Sequence, residues 1–182
     1  MPPRIRFVGA ALLVLSLRGL LSAQVVYDAH AVADAMTLRQ AMTDNILQGS
    51  EKPAAAIDRL KAYGSPSGLK IDPDADFAFA AIDVGHRLIA AGKPTEAELF
   101  FQAAEKSLVA VLSRTPDTQP QAKAQYLENL SVIRGHYLNE VGQARLDIEQ
   151  AIALQPDDNH LQTVRQNLAR EHAEFFKNPS TK

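Results

Sequence analysis

Residues 85–104, GHRLIAAGKPTEAELFFQAA, and residues 135–156, GHYLNEVGQARLDIEQAIALQP, share a skeleton of small and apolar side chains at a spacing of fifty positions. An internal repeat of this kind is typical of stacked helical hairpins, in which each unit buries its apolar side against its neighbours. Such an array leaves a long face free, which is typical of a binding scaffold. The shared positions are Gly85, Leu88, Gly92, Ala97, Phe101 and Ala104 in the first copy, and Gly135, Leu138, Gly142, Ala144, Ile148, Ala151 and Pro156 in the second.

Apolar residues outside the repeat also follow a helical period, and no useful stretch alternates with a period of two, so the sequence predicts an all-α fold. We expect one domain over residues 24–176. Its segments are predicted as antiparallel hairpins at 28–64 (degenerate), 76–115 and 120–155, a C-terminal capping helix at 159–176, and then a disordered tail at 177–182. The turn-rich residues 64–76 are predicted to connect hairpins within this domain. Thr95, with Glu98 three residues later, predicts a capping box at a helix start.

The first 23 residues have the order of a secretory signal peptide. Two arginines precede an apolar run over residues 7–17, and small residues lie near Ala23. Arg18 ends the run before it reaches the roughly 20 apolar residues that a transmembrane helix needs. We therefore predict cleavage near Ala23 and a periplasmic or secreted product, with an uncleaved membrane anchor as the alternative.

The composition of the 182-residue chain excludes several classes of partner and site. Cysteine is absent, which excludes a disulfide framework, a thiolate metal site and a lipid-modified cysteine. The formal net charge is −2, and neither a basic run nor a basic face is visible. We therefore expect no nucleic-acid partner, and membrane contact only if the N-terminal segment is uncleaved.

The two copies resemble the tetratricopeptide repeat (TPR) family, with the best match over residues 77–156. Gly85 matches the small residue of that family's first helix, Gly92 its turn, Ala97 a small residue of the second helix, and Phe101 its aromatic residue. A small residue at a helix crossing permits a close approach, and a ring fills the space beside it. The resemblance implies a short TPR-like solenoid whose hairpins stack on one another.

The second copy departs from the family pattern. Its turn is shorter, Arg134 stands where an apolar residue is expected, and Ser131 where a large one is usual. The spacing of fifty also exceeds the 34 residues of the family. The alternative interpretation is that glycine and alanine recur by chance in an alanine-rich helical bundle.

The resemblance also implies a concave groove, because the first helix of each repeat lines one in this family. The implied groove residues are Phe79, Ile82, His86, Ile89, Asn129, Val132, His136, Asn139 and Glu140. His86 and His136 would then lie one above the other, facing a bound peptide. The alternative is that other helices of the same chain cover the apolar members of this set.

Other candidate sites are weaker. Asp72, Asp74 and Asp76 alternate as in a calcium loop, but the glycine expected next is missing, so these residues are predicted to solvate a turn and a helix start. Asp83 and His86 are too few for a metal site in a helical bundle, which needs carboxylates from several helices. No HExxH or GxSxG motif occurs, so we expect no catalytic site, cofactor or metal.

These observations predict an exported scaffold or adaptor that binds a polypeptide partner in the cell envelope. Two alternatives stay open. One is a helical-bundle carrier that holds a small apolar ligand between its Phe- and Ile-rich helices, and the other is a self-associating structural subunit.

Overall fold

The structure is a computed structural model that describes residues 29–69 and 71–177. Within those residues the chain forms helices and no strand, so the fold is all-α, as the apolar periodicity predicted. The helices are α1 (Ala29–Leu47), α2 (Pro53–Ala62), α3 (Pro73–Ala90), α4 (Pro94–Arg114), α5 (Pro120–His136), α6 (Val141–Leu154), α7 (Asn159–Glu171) and α8 (Ala173–Lys177). The predicted signal peptide at 1–23 and the tail beyond residue 177 lie outside the described residues.

Proline in the first turn starts four of these helices, α2 to α5. Its fixed φ suits that position, and its missing N–H would have no helical partner there. The capping box predicted at Thr95 is wrong. Helix α4 begins one residue earlier, at Pro94, and its N-cap residue Lys93 makes no side-chain capping bond, because an ammonium group cannot accept from a backbone N–H.

Two antiparallel hairpins form the centre of the molecule. Helix α3 packs along α4, α5 packs along α6, and α4 contacts α5 so that the hairpins stack. Helix α7 packs on both α5 and α6 at the C-terminal end of the stack. The part of the chain that the structure describes contains no helix long and apolar enough to span a bilayer.

The hairpin predicted at residues 28–64 is not formed as such. Helices α1 and α2 scarcely touch each other; α1 packs on α3, whereas α2 packs on α3 and α4. The ten-residue α2 turns its buried side chains Ala56 and Leu60 toward the α3–α4 hairpin, and Met42 and Ile46 of α1 join the same core. The N-terminal helices therefore cover the central hairpin instead of adding a repeat to it.

The connector between α2 and α3 is fixed by contacts that its composition did not predict. Arg39 of α1 donates from its guanidinium to the carbonyl of Pro66 at 2.6 Å. The buried Asp76 carboxylate accepts from the N–H groups of Ser67 at 3.2 Å and Leu69 at 3.3 Å. Gly68 has a φ of +80°, and a Cβ there would lie 2.6 Å from the Cα of Val32. The connector is therefore tied to both α1 and α3.

The α5–α6 hairpin, which was predicted at residues 120–155, differs from its prediction at the turn. Helix α5 ends at His136, and Asn139 adopts a φ of 56°, which asparagine tolerates better than most residues. Gly142, which the repeat pattern placed at the turn, is the second residue of α6. Asn139 thus takes the part that Gly92, with a φ of +75°, has in the α3–α4 hairpin. The predicted last helix also ends early, at Glu171, before the short α8.

Candidate functional site

A stack of aromatic rings joins the two central hairpins. The ring of Phe101 on α4 lies in the space that Gly85 leaves on α3, where an added Cβ would be 2.7 Å from the ring. The same ring stacks on Tyr137 at the end of α5, with centroids 4.1 Å apart and an interplanar angle of 14°. Gly85 therefore allows one ring to pack within its own hairpin and against the next.

His86 packs beside this stack and has few polar partners. Its ring centroid is 5.5 Å from that of Phe101 and 5.4 Å from that of Tyr137. Its Nε2 atom is buried and has no hydrogen-bond partner among the described residues. Burial lowers the pKa of His86 below its ordinary value, although the Asp83 carboxylate opposes this effect. A neutral imidazole is the form that this environment favours.

An open cleft lies next to the ring stack, where the end of α3, the start of α4 and the end of α5 meet. Its volume is about 230 Å³. The residues that line this junction cleft are Ile89, Pro94, Thr95, Glu98, Phe101, His136 and Tyr137.

The junction cleft combines an apolar floor with a polar rim. Ile89 and the ring of Tyr137 are partly exposed and supply the apolar surface, and the fully buried Phe101 ring stacks on Tyr137. His136 is exposed, and its Nδ1 lies 2.8 Å from a carboxylate oxygen of Glu171 on α7. Burial, together with the Glu171 charge, raises the pKa of the Tyr137 hydroxyl, which stays neutral and able to donate. This arrangement suits an apolar side chain whose neighbouring backbone forms hydrogen bonds at the rim.

Only part of the predicted groove reaches this cleft. Ile89 and His136 line it, and His86 lies behind its rings. Phe79 and Ile82 are 6% and 9% exposed, respectively, and belong to the main core. Their prediction as groove residues is corrected here, because both side chains are buried in the core that the packed helices form, and the Phe79 ring lies 6.2 Å from the Tyr126 ring of α5.

The other members of the predicted groove, which lie in α5 and in the turn after it, do not extend the cleft. Asn129 donates its amide N–H to the carbonyl of Gln125, and Val132 is partly buried. Asn139 and Glu140 are exposed at the turn after α5, outside the cleft lining. The continuous groove along both first helices is therefore replaced by one local cleft between hairpins.

The two histidines also lie differently from the prediction. Counted from the start of the following helix, Ile89 is five residues before Pro94, and His136 is five residues before Val141. These two residues are the equivalent pair, and both line the junction cleft. His86 instead packs against Tyr137, because the true offset between hairpins is 47 residues and not fifty.

Arg134 forms the main polar contact between the hairpins. Its guanidinium lies 2.7 Å from Glu105 of α4 and 2.8 Å from Asp147 of α6. The side chains of Arg134 and Asp147 are only 12% and 5% exposed. The acidic partners therefore explain how an arginine occupies the position where the repeat pattern expects an apolar residue.

The acidic cluster before α3 has structural partners. Asp72 caps α3 by accepting from the N–H of Asp74 at 2.9 Å. Arg114 contacts both Asp72, at 2.5 Å, and Asp74, at 2.6 Å. Asp83 pairs with Arg39 at 2.7 Å. In the described ranges 29–69 and 71–177, no group of three or more His, Asp or Glu side chains could hold a metal ion.

The sequence interpretation did not identify Tyr137, Arg39 or Asp76 as important contacts. A large apolar ring just before the predicted turn was a signal for Tyr137. Arg39 and Asp76 bind residues 27 and 9 positions away, respectively, and no local pattern marks such contacts.

Comparison with known proteins adds no family to this description. The chain matches no protein-family model, and no curated protein is significantly similar to it.

Proposed function

We propose that this protein is a TPR-like scaffold of the cell envelope, and that it binds a polypeptide partner through the junction cleft. The observation that supports this most directly is the meeting of Ile89 and Tyr137 at an open junction between two stacked hairpins, where the buried Phe101 ring supports Tyr137. An apolar side chain of the partner would enter there, and Thr95, Glu98 and His136 would contact its backbone or flanking polar groups.

The size of the cleft favours this proposal over a ligand carrier. Drug-sized molecules occupy pockets of about 300–1,000 Å³ that bury most of their surface. The junction cleft has about 230 Å³ and is open to solvent. Phe79 and Ile82, the side chains proposed to enclose such a ligand, are packed into the core. A protruding side chain of a polypeptide fits the available volume better.

Site-specific photo-crosslinking tests the proposal. A benzoylphenylalanine replaces Thr95, which is exposed and lines the cleft, in the full-length protein produced in its own host. The matched control carries the same group in place of Gln150, an exposed residue of α6. We expect a discrete polypeptide adduct at position 95 and none at position 150.

A second variant ties the adduct to the chemistry of the cleft. Glu98 is exposed, and its described hydrogen bond is accepted from the amide of Gln102, so Glu98→Lys is expected to fold normally. The variant should lower the yield of the adduct at position 95. Equal adducts at positions 95 and 150 would contradict the proposal, and an adduct with a second copy of this chain would favour the self-association alternative.

The proposed location has its own test. If the N-terminal segment is a signal peptide, the protein recovered from the envelope begins near residue 24, as determined by N-terminal sequencing. A protein recovered with its first 23 residues intact would favour the membrane-anchor alternative.

A further inference from the structure

The outer face of α4 has a shallow groove that shares no residue with the junction cleft. Its volume is about 570 Å³, and it lies between α4 and the end of α2. Leu99 and Val109 are 42% and 44% exposed, respectively, and Ala103 lies between them. Exposed apolar residues that occur singly need no explanation, but these three line one groove.

The spacing of these residues fits an α-helix laid along α4. Positions 99, 103, 106 and 109 are separated by four, three and three residues, which places them on one side of the helix. At 1.5 Å per residue, Leu99 and Val109 are about 15 Å apart along the axis, close to three helical turns. A partner helix with apolar residues at matching intervals would cover this length.

The charges around the groove favour an acidic partner. Lys61 of α2 and Lys106 of α4 line it, and Lys106 makes no ion pair within residues 29–69 and 71–177. Glu105 also lines the groove, and it pairs with the Arg134 guanidinium 2.7 Å away, which Asp147 shares. The two lysines outnumber this one carboxylate, so the lining is positive on a chain whose formal net charge is −2.

We propose that the α4 groove binds an amphipathic helix of another polypeptide, with acidic residues on either side of its apolar stripe. Leu99, Ala103 and Val109 would contact the stripe, and Lys61 and Lys106 would pair with the flanking carboxylates. Two lysines are fewer than the four to eight basic residues typical of attachment to an anionic membrane, so a protein helix is the better match. The proposal adds a second binding surface and does not depend on the junction cleft.

Binding of matched helical peptides to the full-length protein tests whether the α4 groove prefers an acidic amphipathic helix. The probe is a hydrocarbon-stapled peptide of about four turns with leucines on one face and glutamates beside them; the control peptide has lysines in place of the glutamates. Fluorescence anisotropy should give a Kd about tenfold lower for the glutamate peptide, because two attractive pairs replace two repulsive ones. Added salt should reduce this difference.

Protein variants locate the binding. Lys61→Glu combined with Lys106→Glu should reverse the preference between the peptides, whereas Lys52→Glu, at an exposed lysine outside the groove, should leave it unchanged. Val109→Ser should weaken both peptides, and its exposed position makes normal folding the expectation, to be verified by circular dichroism. His136→Gln in the junction cleft, at an exposed residue of α5, should have no effect, which separates this proposal from the proposed function.

Three results of the peptide assay would overturn the proposal. They are the absence of saturable binding, equal Kd values for the two peptides, and binding that persists unchanged in Val109→Ser. A dimer in light scattering that Val109→Ser dissociates would assign the groove to a second copy of this chain and would also overturn it. Binding of the wild-type protein, but not the double lysine variant, to vesicles containing anionic lipid would assign it to a membrane surface instead.

Discussion

The two central hairpins contain the same glycine–histidine pair, yet the two glycines pack against different parts of the molecule. Gly85 lies nine residues before the start of α4, whereas Gly135 lies six residues before the start of α6. Gly85 faces the Phe101 ring of its own hairpin, and Gly135 faces Leu168 of α7. The position that corresponds to Gly135 in the first hairpin is Leu88, which is fully buried.

This difference shows that the turn, and not the repeated glycine, sets the register of a hairpin. In the second hairpin a glycine stands where the first has a leucine, and the space is filled by a side chain from outside the repeat. Helix α7 therefore completes the core of the second hairpin as well as covering the end of the stack. The second core cluster, which includes Ile148, Leu161 and Leu168, reflects this arrangement.

The largest loss of stability that we expect distinguishes two arginines, Arg134 and Arg87, which occupy equivalent positions in the two hairpins. Arg134→Ala would leave the buried Asp147 without its cation, so it should reduce the free energy of unfolding by about 3–5 kcal/mol. Arg87 lies at the corresponding place in α3 and pairs with the half-exposed Asp83 at 3.1 Å. Arg87→Ala should therefore cost about 1 kcal/mol or less.

Urea unfolding of both arginine variants measures this contrast. The comparison would be wrong if the two variants lost similar stability. Arg134→Met combined with Asp147→Leu should recover most of the loss, because an apolar pair removes the need to bury charge.

The next largest loss of stability is expected at Gly85. Gly85→Ala places a Cβ 2.7 Å from a ring that is fully buried and stacked on Tyr137, so the ring has little room to move. We expect the free energy of unfolding to fall by about 1–3 kcal/mol. Gly142→Ala is the matched control, because a Cβ there meets nothing within 4 Å. It should be neutral or stabilising by up to about 1 kcal/mol, and thermal denaturation of the two variants tests the difference.

A smaller change in stability is expected at Gly135. In Gly135→Ala the added Cβ lies 2.5 Å from the Cδ2 atom of Leu168, which is the far end of a flexible side chain. A change in the rotamer of Leu168, together with the better helix propensity of alanine, should hold the net change within about 1 kcal/mol of zero. A loss equal to that of Gly85→Ala in the same denaturation assay would mean that the two glycines are equivalent after all.

The smallest expected effect is a difference in pH dependence. The pKa of His86 in the folded protein lies below its ordinary value of 6.5, so the unfolded chain takes up a proton first as the pH falls. The stability that a neutral His86 permits is fully present above about pH 6.5 and decreases below it. Asp83 and His136 are the charged or titratable groups whose fields act on His86.

Urea unfolding of wild type and His86→Phe between pH 7.5 and 5 isolates this contribution. The wild type should lose more stability than the variant over that interval. A difference between the two proteins that stays constant with pH would contradict this expectation.

Much of the fold was predictable from the sequence, and the reasons differ between elements. The apolar period predicted the helices, and the Gly92 turn predicted the first hairpin. Asn139 was not identified as a turn residue, because only the backbone conformation shows that an asparagine replaces the expected glycine. Counting from Gly142 therefore shifted the second copy by three residues.

The candidate site was predicted less well, because it depends on contacts between distant segments. Ile89 and His136 were identified as binding residues, and both line the cleft. Phe79 and Ile82 have the apolar character that an exposed groove would need, and only the packing of the helices shows that both side chains are buried. Tyr137 acquires its role through a ring on another helix.

A pair of double-mutant cycles tests the central claim, that Gly85 makes room for the Phe101 ring of its own hairpin. Phe101→Leu should relieve the strain of Gly85→Ala, so urea unfolding should give a coupling energy of about 1 kcal/mol or more between these two substitutions. In the control cycle, the losses of stability from Leu168→Ala and Gly85→Ala should be additive within about 0.5 kcal/mol. Additive losses for Gly85→Ala and Phe101→Leu would contradict the account.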